Sequence, residues 1–189
     1  MYKGDLIEKL KLICSRDVVC RIERNDIDEF KKSCKPISFN DEFLLICYEY
    51  DFEFDGFEII RLDDITNIIY DDVDMFINDI LIKENIKPII DSCLSININS
   101  YFDIMKFFFQ NNENLIIECE RQGEFYIGKI IEISQECISF LNFDGEGVWE
   151  EEPSYIFYND ITLISFRNRY VRYMSKYAHR QGDGSIALI

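Results

Sequence analysis

The sequence predicts an α+β fold, mainly β, made of two similar units, and three observations carry that prediction. The phrase "RLDDITNIIY" at 61–70 returns as "FYNDITLISF" at 157–166. Each copy of "DIT" is followed by residues at helical spacing, namely Val73, Phe76, Ile77, Ile80 and Leu81 after the first and Tyr170, Tyr173, Met174 and Tyr177 after the second. Each unit also opens with a run of period-two alternation, "VVCRIER" at 18–24 and "LIIECER" at 115–121, as half-buried strands require.

In chain order, "DLIEKLKLIC" (5–14) is a predicted helix before the first opening strand. Two apolar runs follow, "FLLICYEY" and "FEIIRL", then "DIT" and its amphipathic helix. The second unit begins with "YFDIMKFFF", where Ser100 can cap the helix with Asp103 three residues on and Tyr101, Ile104, Met105, Phe108 and Phe109 share one face. The runs "FYIGKIIEIS" and "CISFLNF" follow, with Asp55-Gly56 and Asp144-Gly145 as predicted turns. About five short strands per unit, each with one apolar face, are expected to curl into a small barrel that removes exposed edges. The expected divisions are 1–83, an apolar connector at 84–99 containing Pro88, 100–180, and a tail at 181–189, with the two barrels packed as a pseudo-dimer. At each "DIT" corner the aspartate is expected to accept backbone N–H bonds, the isoleucine to plug the barrel end, and the threonine to start the next strand.

Composition bounds the function. In 189 residues, 48% hydrophobic and 15% aromatic content is ample for a buried core. The 36 acidic against 20 basic residues give a formal net charge of −16, which discourages approach to phosphate backbones and anionic lipid and suits a basic partner. The N-terminus lacks the apolar run of a signal peptide and no stretch has the length of a membrane span, so a cytoplasmic protein without a membrane partner is expected. The cysteines (Cys14, Cys20, Cys34, Cys47, Cys93, Cys119, Cys137) are odd in number and scattered, with no C-x-x-C pair, and read as free thiols rather than a disulfide scaffold or zinc site.

In the second unit Gly128, Ile130, Ile133, Ser134, Cys137, Ile138 and Phe140 are spaced like the first signature of the Sm-like fold, where a glycine opens a strongly bent strand and a polar residue marks the next turn. The first unit follows more loosely with Cys34, Phe39, Asn40, Phe43 and Leu44. Over residues 5–83 and 100–178 the chain therefore resembles a tandem of small Sm-like or SH3-like barrels. It also resembles a loose group of uncharacterised bacterial proteins whose barrels end in a "D-G-x-x-I…D-I-T-x-I" phrase. Sm-like proteins that hold RNA place an Asn after the apolar residue of the second strand and an Arg-Gly pair before the last. The matching places carry Ile138 and Leu44, and Tyr158-Asn159 and Leu62-Asp63, so the resemblance implies barrels without those base-holding groups.

Among residues that might carry chemistry, His179 is the single histidine and no motif ties a Ser or Cys to it. No phosphate loop, dinucleotide fingerprint or H-E-x-x-H occurs, and no cofactor or metal is expected. Asp71, Asp72 and Asp74 read as the acidic first turn of a helix. Trp149, Glu150, Glu151 and Glu152 lie in one long predicted loop, readable either as a contact surface for a basic partner or as a tryptophan tucked over a barrel mouth. Arg167, Arg169, Arg172, Lys176 and Arg180 interleave with Tyr170, Tyr173 and Tyr177, whose spacing predicts tyrosines packed on the barrel. The expected function is a non-enzymatic protein-interaction module with a basic partner, immunity- or antitoxin-like in its most specific form. The alternative is RNA or single-stranded nucleic acid bound along the basic, tyrosine-rich helix.

Overall fold

The run Phe43–Cys47 is apolar at every position because this strand is buried on both faces. A computed structural model describes residues 2–90 and 95–180. Cys93 and the tail 181–189 lie outside the described residues. The first unit contains α1 (Lys3–Arg16), β1 (Cys20–Arg24), β2 (Asp28–Phe39), β3 (Phe43–Tyr50), β4 (Glu53–Arg61), β5 (Asn67–Ile69) and α2 (Asp72–Lys83). The second contains α3 (Tyr101–Asn111), β6 (Leu115–Cys119), β7 (Glu124–Ile133), β8 (Cys137–Asn142), β9 (Ser154–Phe157), β10 (Leu163–Phe166) and α4 (Arg169–Tyr177). The fold is α+β, mainly β, and no described helix is long and apolar enough to cross a membrane.

The ten strands of the described residues form one continuous open sheet in the order β5-β1-β2-β3-β4-β10-β6-β7-β8-β9, with each pair of neighbouring strands antiparallel. Each unit has the same internal order, its fifth strand beside its first and its fourth at the far side. The units join where β10 pairs with β4, Leu163 opposite Ile60 through Phe166 opposite Phe57. No ladder among the described residues closes either unit on itself, so the expected pair of closed barrels is replaced by one sheet with edges at β5 and β9.

Alternation divides the core between the two faces. On one face α3 lays Ile104, Met105 and Phe108 over Leu45, Ile59, Ile117 and Phe166, so a single apolar cluster spans both units. On the other, Leu6, Leu10 and Ile13 of α1 cover Cys34, Leu44, Ile46 and Ile60, and Val171 of α4 meets Ile116, Ile127 and Phe143. Between these two patches runs a polar strip in which Arg24 and Glu58 are buried and Lys32, Glu118 and Glu120 half-buried. There Lys32 Nζ sits 2.9 Å from both Glu58 oxygens, Arg24 pairs with Glu120, and Glu118 lies beside them. The connector adds Ile96 and Ile98 to the α3 core, and Asn40 Nδ2 donates to the Ile98 carbonyl.

Turn expectations fare unevenly. Asp144 does organise its loop, its Oδ1 accepting from the N–H groups of Glu146 and Val148. Asp55-Gly56, however, lies inside β4, and the hairpin turns at Asp51 and Phe52, both with positive φ. Gly56 is needed for another reason. With φ +77°, a Cβ there would lie 2.5 Å from the Asn168 backbone nitrogen, so α4 can start against β4 only over a glycine.

The "DIT" corners are equivalent, although the threonine carries the bonding expected of the aspartate. Thr66 Oγ1 donates to the Glu23 carbonyl and accepts from Asn25 N–H; Thr162 Oγ1 donates to the Glu118 carbonyl and accepts from Glu120 N–H. Ile65 and Ile161 are buried, one in each large core. Asp64 accepts from Arg61 and Arg121 and Asp160 from Gln122, all side chains, because the threonine already serves the backbone.

Candidate interaction surfaces

α2 begins with a capping box: Asp71 accepts from Val73 N–H, and Asp74 accepts from Asp71 N–H. Arg21 of β1 bridges both carboxylates at 2.7–2.9 Å, and its pKa is held above the ordinary value chiefly by the Asp74 hydrogen bond. One turn on, Asn78 exchanges two 2.8 Å hydrogen bonds with the Val19 backbone and donates a third to the Asp74 carbonyl. These polar contacts fix the helix phase. The expected stripe is thereby rolled partly outward, with Val73 55% and Phe76 68% exposed, Ile77 and Ile80 half-buried and Leu81 buried. Met75 and Ile82 are also exposed, and Asp72 and Asp79 stand among these apolar groups.

α4 likewise departs from expectation. Asn168 caps it by accepting from Val171 N–H, and Val171 then faces the sheet with Met174 and Ala178 beside it. Tyr170, Tyr173 and Tyr177 face solvent, each more than half exposed, instead of packing on a barrel. The arginines before and at the helix start are committed: Arg167 grips Glu113 through two nitrogens, and Arg169 reaches Glu53 and Asp55 of β4. Arg172 and Lys176 lie over the rings of Tyr173 and Tyr177, 5.0 and 5.2 Å from their centroids. A cleft of about 710 Å³ opens at this junction, with Phe52, Asp55, Ile86, Arg169 and Arg172 in its wall.

Trp149 is half-buried, set edge-on to Phe143 at 4.9 Å with Lys129 Nζ 5.5 Å from its ring centroid. The loop is zipped to the end of α4, because Trp149 N–H donates to the His179 carbonyl and His179 N–H to Gly147. His179 Nδ1 lies 3.2 Å from the Tyr177 carbonyl. Glu150 is tied to Asn142 through backbone and side chain, whereas Glu151 and Glu152 are exposed. The tryptophan thus packs against Phe143 and Lys129, and exposed Glu151 and Glu152 follow it just before β9. Among the described residues no group of three or more His, Cys, Asp or Glu side chains is placed to hold a metal ion.

The outward α2 face was hidden in a pattern that reads equally well with the stripe facing inward. The signal that could have found it is Asp74 and Asn78, two small polar residues one turn apart that flank the stripe on its Leu81 side. No protein-family model matches the chain, and neither a curated protein nor a solved structure matches it.

Proposed function

We propose that this chain is a non-enzymatic protein-binding module whose partner is a basic protein docking on the outward face of α2. The observation that carries the reading is the exposure of Val73 and Phe76 on a helix whose polar residues hold the sheet. Contiguous exposed apolar side chains mark interaction surfaces, and the surrounding Asp72 and Asp79 favour a cationic rim on the partner. The excess negative charge is free to act outward, since Arg21, Arg24, Arg61, Arg121, Arg167 and Arg169 are engaged by the chain's own carboxylates. In its most specific form the partner is a cationic toxin that this chain masks. Affinity capture from the native cell with the wild type and a Phe76→Asp variant tests the reading: basic proteins should be retained by the first and lost from the second. Recovery of the same set by both, or of no basic protein, defeats it.

A second reading has one observation in its favour, the exposure of Tyr170, Tyr173 and Tyr177 with Arg172 and Lys176 against the last two. Stacking aromatics beside cations suit single-stranded nucleic acid, although the pairing of Arg167 and Arg169 leaves a short basic ridge. Such binding must weaken steeply with salt. Fluorescence anisotropy with mixed RNA and single-stranded DNA at low salt decides: no signal at tens of micromolar protein ends this reading. The finer fold reading, a pseudo-dimer of two Sm-like or SH3-like units, is supported by their identical strand order and equivalent threonine corners. A crystal structure in which 5–83 fails to superpose on 100–178 would refute it.

A further inference from the structure

β9 is the last strand of the sheet, and its outer side pairs with no strand among the described residues. Tyr158 N–H donates to the Glu136 carbonyl in the same register as the β8–β9 ladder, which fixes the alternation. Ser154 and Ile156 then turn their backbone groups toward β8, and Tyr155 and Phe157 turn theirs outward. Phe157's carbonyl is occupied by Asp160 N–H, and among the described residues the Tyr155 N–H and C=O and the Phe157 N–H are left open along the edge. Tyr155 and Phe157 are 67% and 52% exposed, and two positions apart on the strand they share one face.

The chain itself shows what covers the equivalent edge. β4 holds the same place in the first unit, and β10 lies antiparallel on it. β10 is apolar at Leu163, Ile164 and Phe166 and is followed by Arg167 and Arg169, so its C-terminal end brings Arg169 onto Glu53 and Asp55 at the start of β4. The start of β9 is likewise preceded by carboxylates, Glu151 and Glu152.

We propose that the outer edge of β9 is a strand-addition site for an extended segment of a different protein, apolar where it pairs and carrying arginine or lysine just beyond its C-terminal end. Main-chain bonds give such an addition its affinity, and the terminal cations meet Glu151 and Glu152. A second copy of this chain does not fit. Its own outer strand, β5, is followed by Asp71 and Asp72, which would meet Glu151 and Glu152 with like charge, and the Ile68 carbonyl of β5 already accepts from Lys9. The proposal rests on the reading of the chain as a binder of basic proteins, but uses the end of the sheet opposite α2.

The test uses the full chain and two fluorescein-labelled peptides, one copying residues 161–170 and one copying 65–74. The first peptide should bind, slow deuterium exchange at the Tyr155 and Phe157 amides, and lose affinity as salt rises. The second should bind at least about ten-fold more weakly, because Asp71, Asp72 and Asp74 follow its apolar run where Arg167 and Arg169 follow that of the first. N-methylation of alternate nitrogens along the pairing edge of the first peptide should abolish binding while keeping its charge. Equal binding of the two peptides, equal binding after N-methylation, or protection at amides away from β9 would each overturn the proposal. A dimer in sedimentation equilibrium that the first peptide dissociates would also overturn it, by assigning the edge to a second copy. Phe76→Asp should leave peptide binding unchanged. If it abolishes binding, the edge proposal falls while the α2 reading stands; if cell capture fails but the peptide still protects β9, the α2 reading alone falls.

Discussion

Replacing Asn78 with Ala should destabilise the fold far more than replacing the larger and more apolar Phe76, although both sit on α2. Asn78 is 8% exposed and makes three side-chain hydrogen bonds, two of them to the backbone N–H and C=O of Val19, itself 2% exposed. Truncation leaves both Val19 groups without partners in a place water reaches poorly. At about 1–3 kcal/mol for each buried group left unpaired, the expected loss is about 2–6 kcal/mol. Phe76 is 68% exposed, and its replacement should stay within about 0.5 kcal/mol. Were the apolar stripe turned inward, Phe76→Ala would instead cost about 3–5 kcal/mol, so the pair separates the two orientations. Urea unfolding followed by circular dichroism, with unchanged slope as the check on two-state behaviour, gives both values. A loss above about 1.5 kcal/mol for Phe76→Ala, or below about 0.5 for Asn78→Ala, would refute this account of the helix.

The nearly isosteric changes Thr66→Val and Thr162→Val each remove one donated and one accepted hydrogen bond at equivalent corners, and each should cost about 1–3 kcal/mol. Thr162 is 1% exposed and Thr66 half-buried, so urea midpoints should fall further for the former; no effect at either would remove the threonine bridge from the account. Burial, with help from the nearby Glu120 and Glu58 carboxylates, raises the Glu118 pKa above its ordinary 4.5 despite Lys32 and Arg24. The native state therefore binds this proton more tightly than the unfolded chain, and the contribution to stability falls as pH rises from about 4.5 through the native pKa. Glu118→Gln should flatten that part of the stability profile and stabilise the protein at neutral pH; thermal melts across pH 4–8 that keep their slope in the variant would contradict it.

Local pattern and nearest-neighbour chemistry were enough to establish the α+β, mainly β class, the helices α1 and α3, the Ser100 cap and the buried isoleucines of "DIT". In each case the information is carried by residues a few positions apart: 3.6-residue spacing in α3, a serine three residues before Asp103, period-two alternation in β6. β2 escaped notice because much of it is half-exposed and polar, with Pro36 inside a strand whose few buried residues include Cys34. Tertiary structure alone decided three things. It placed β10 on β4 and so made one open sheet of two units, a pairing of strands about a hundred residues apart that no local signal encodes. It turned α2 outward, since an amphipathic pattern defines two faces but not which meets the core; the Val19 backbone and Arg21, both in the first unit's opening run, selected Asp74 and Asn78. It left β9 as an edge behind Glu151 and Glu152, because whether a strand has a neighbour depends on where every other strand has gone.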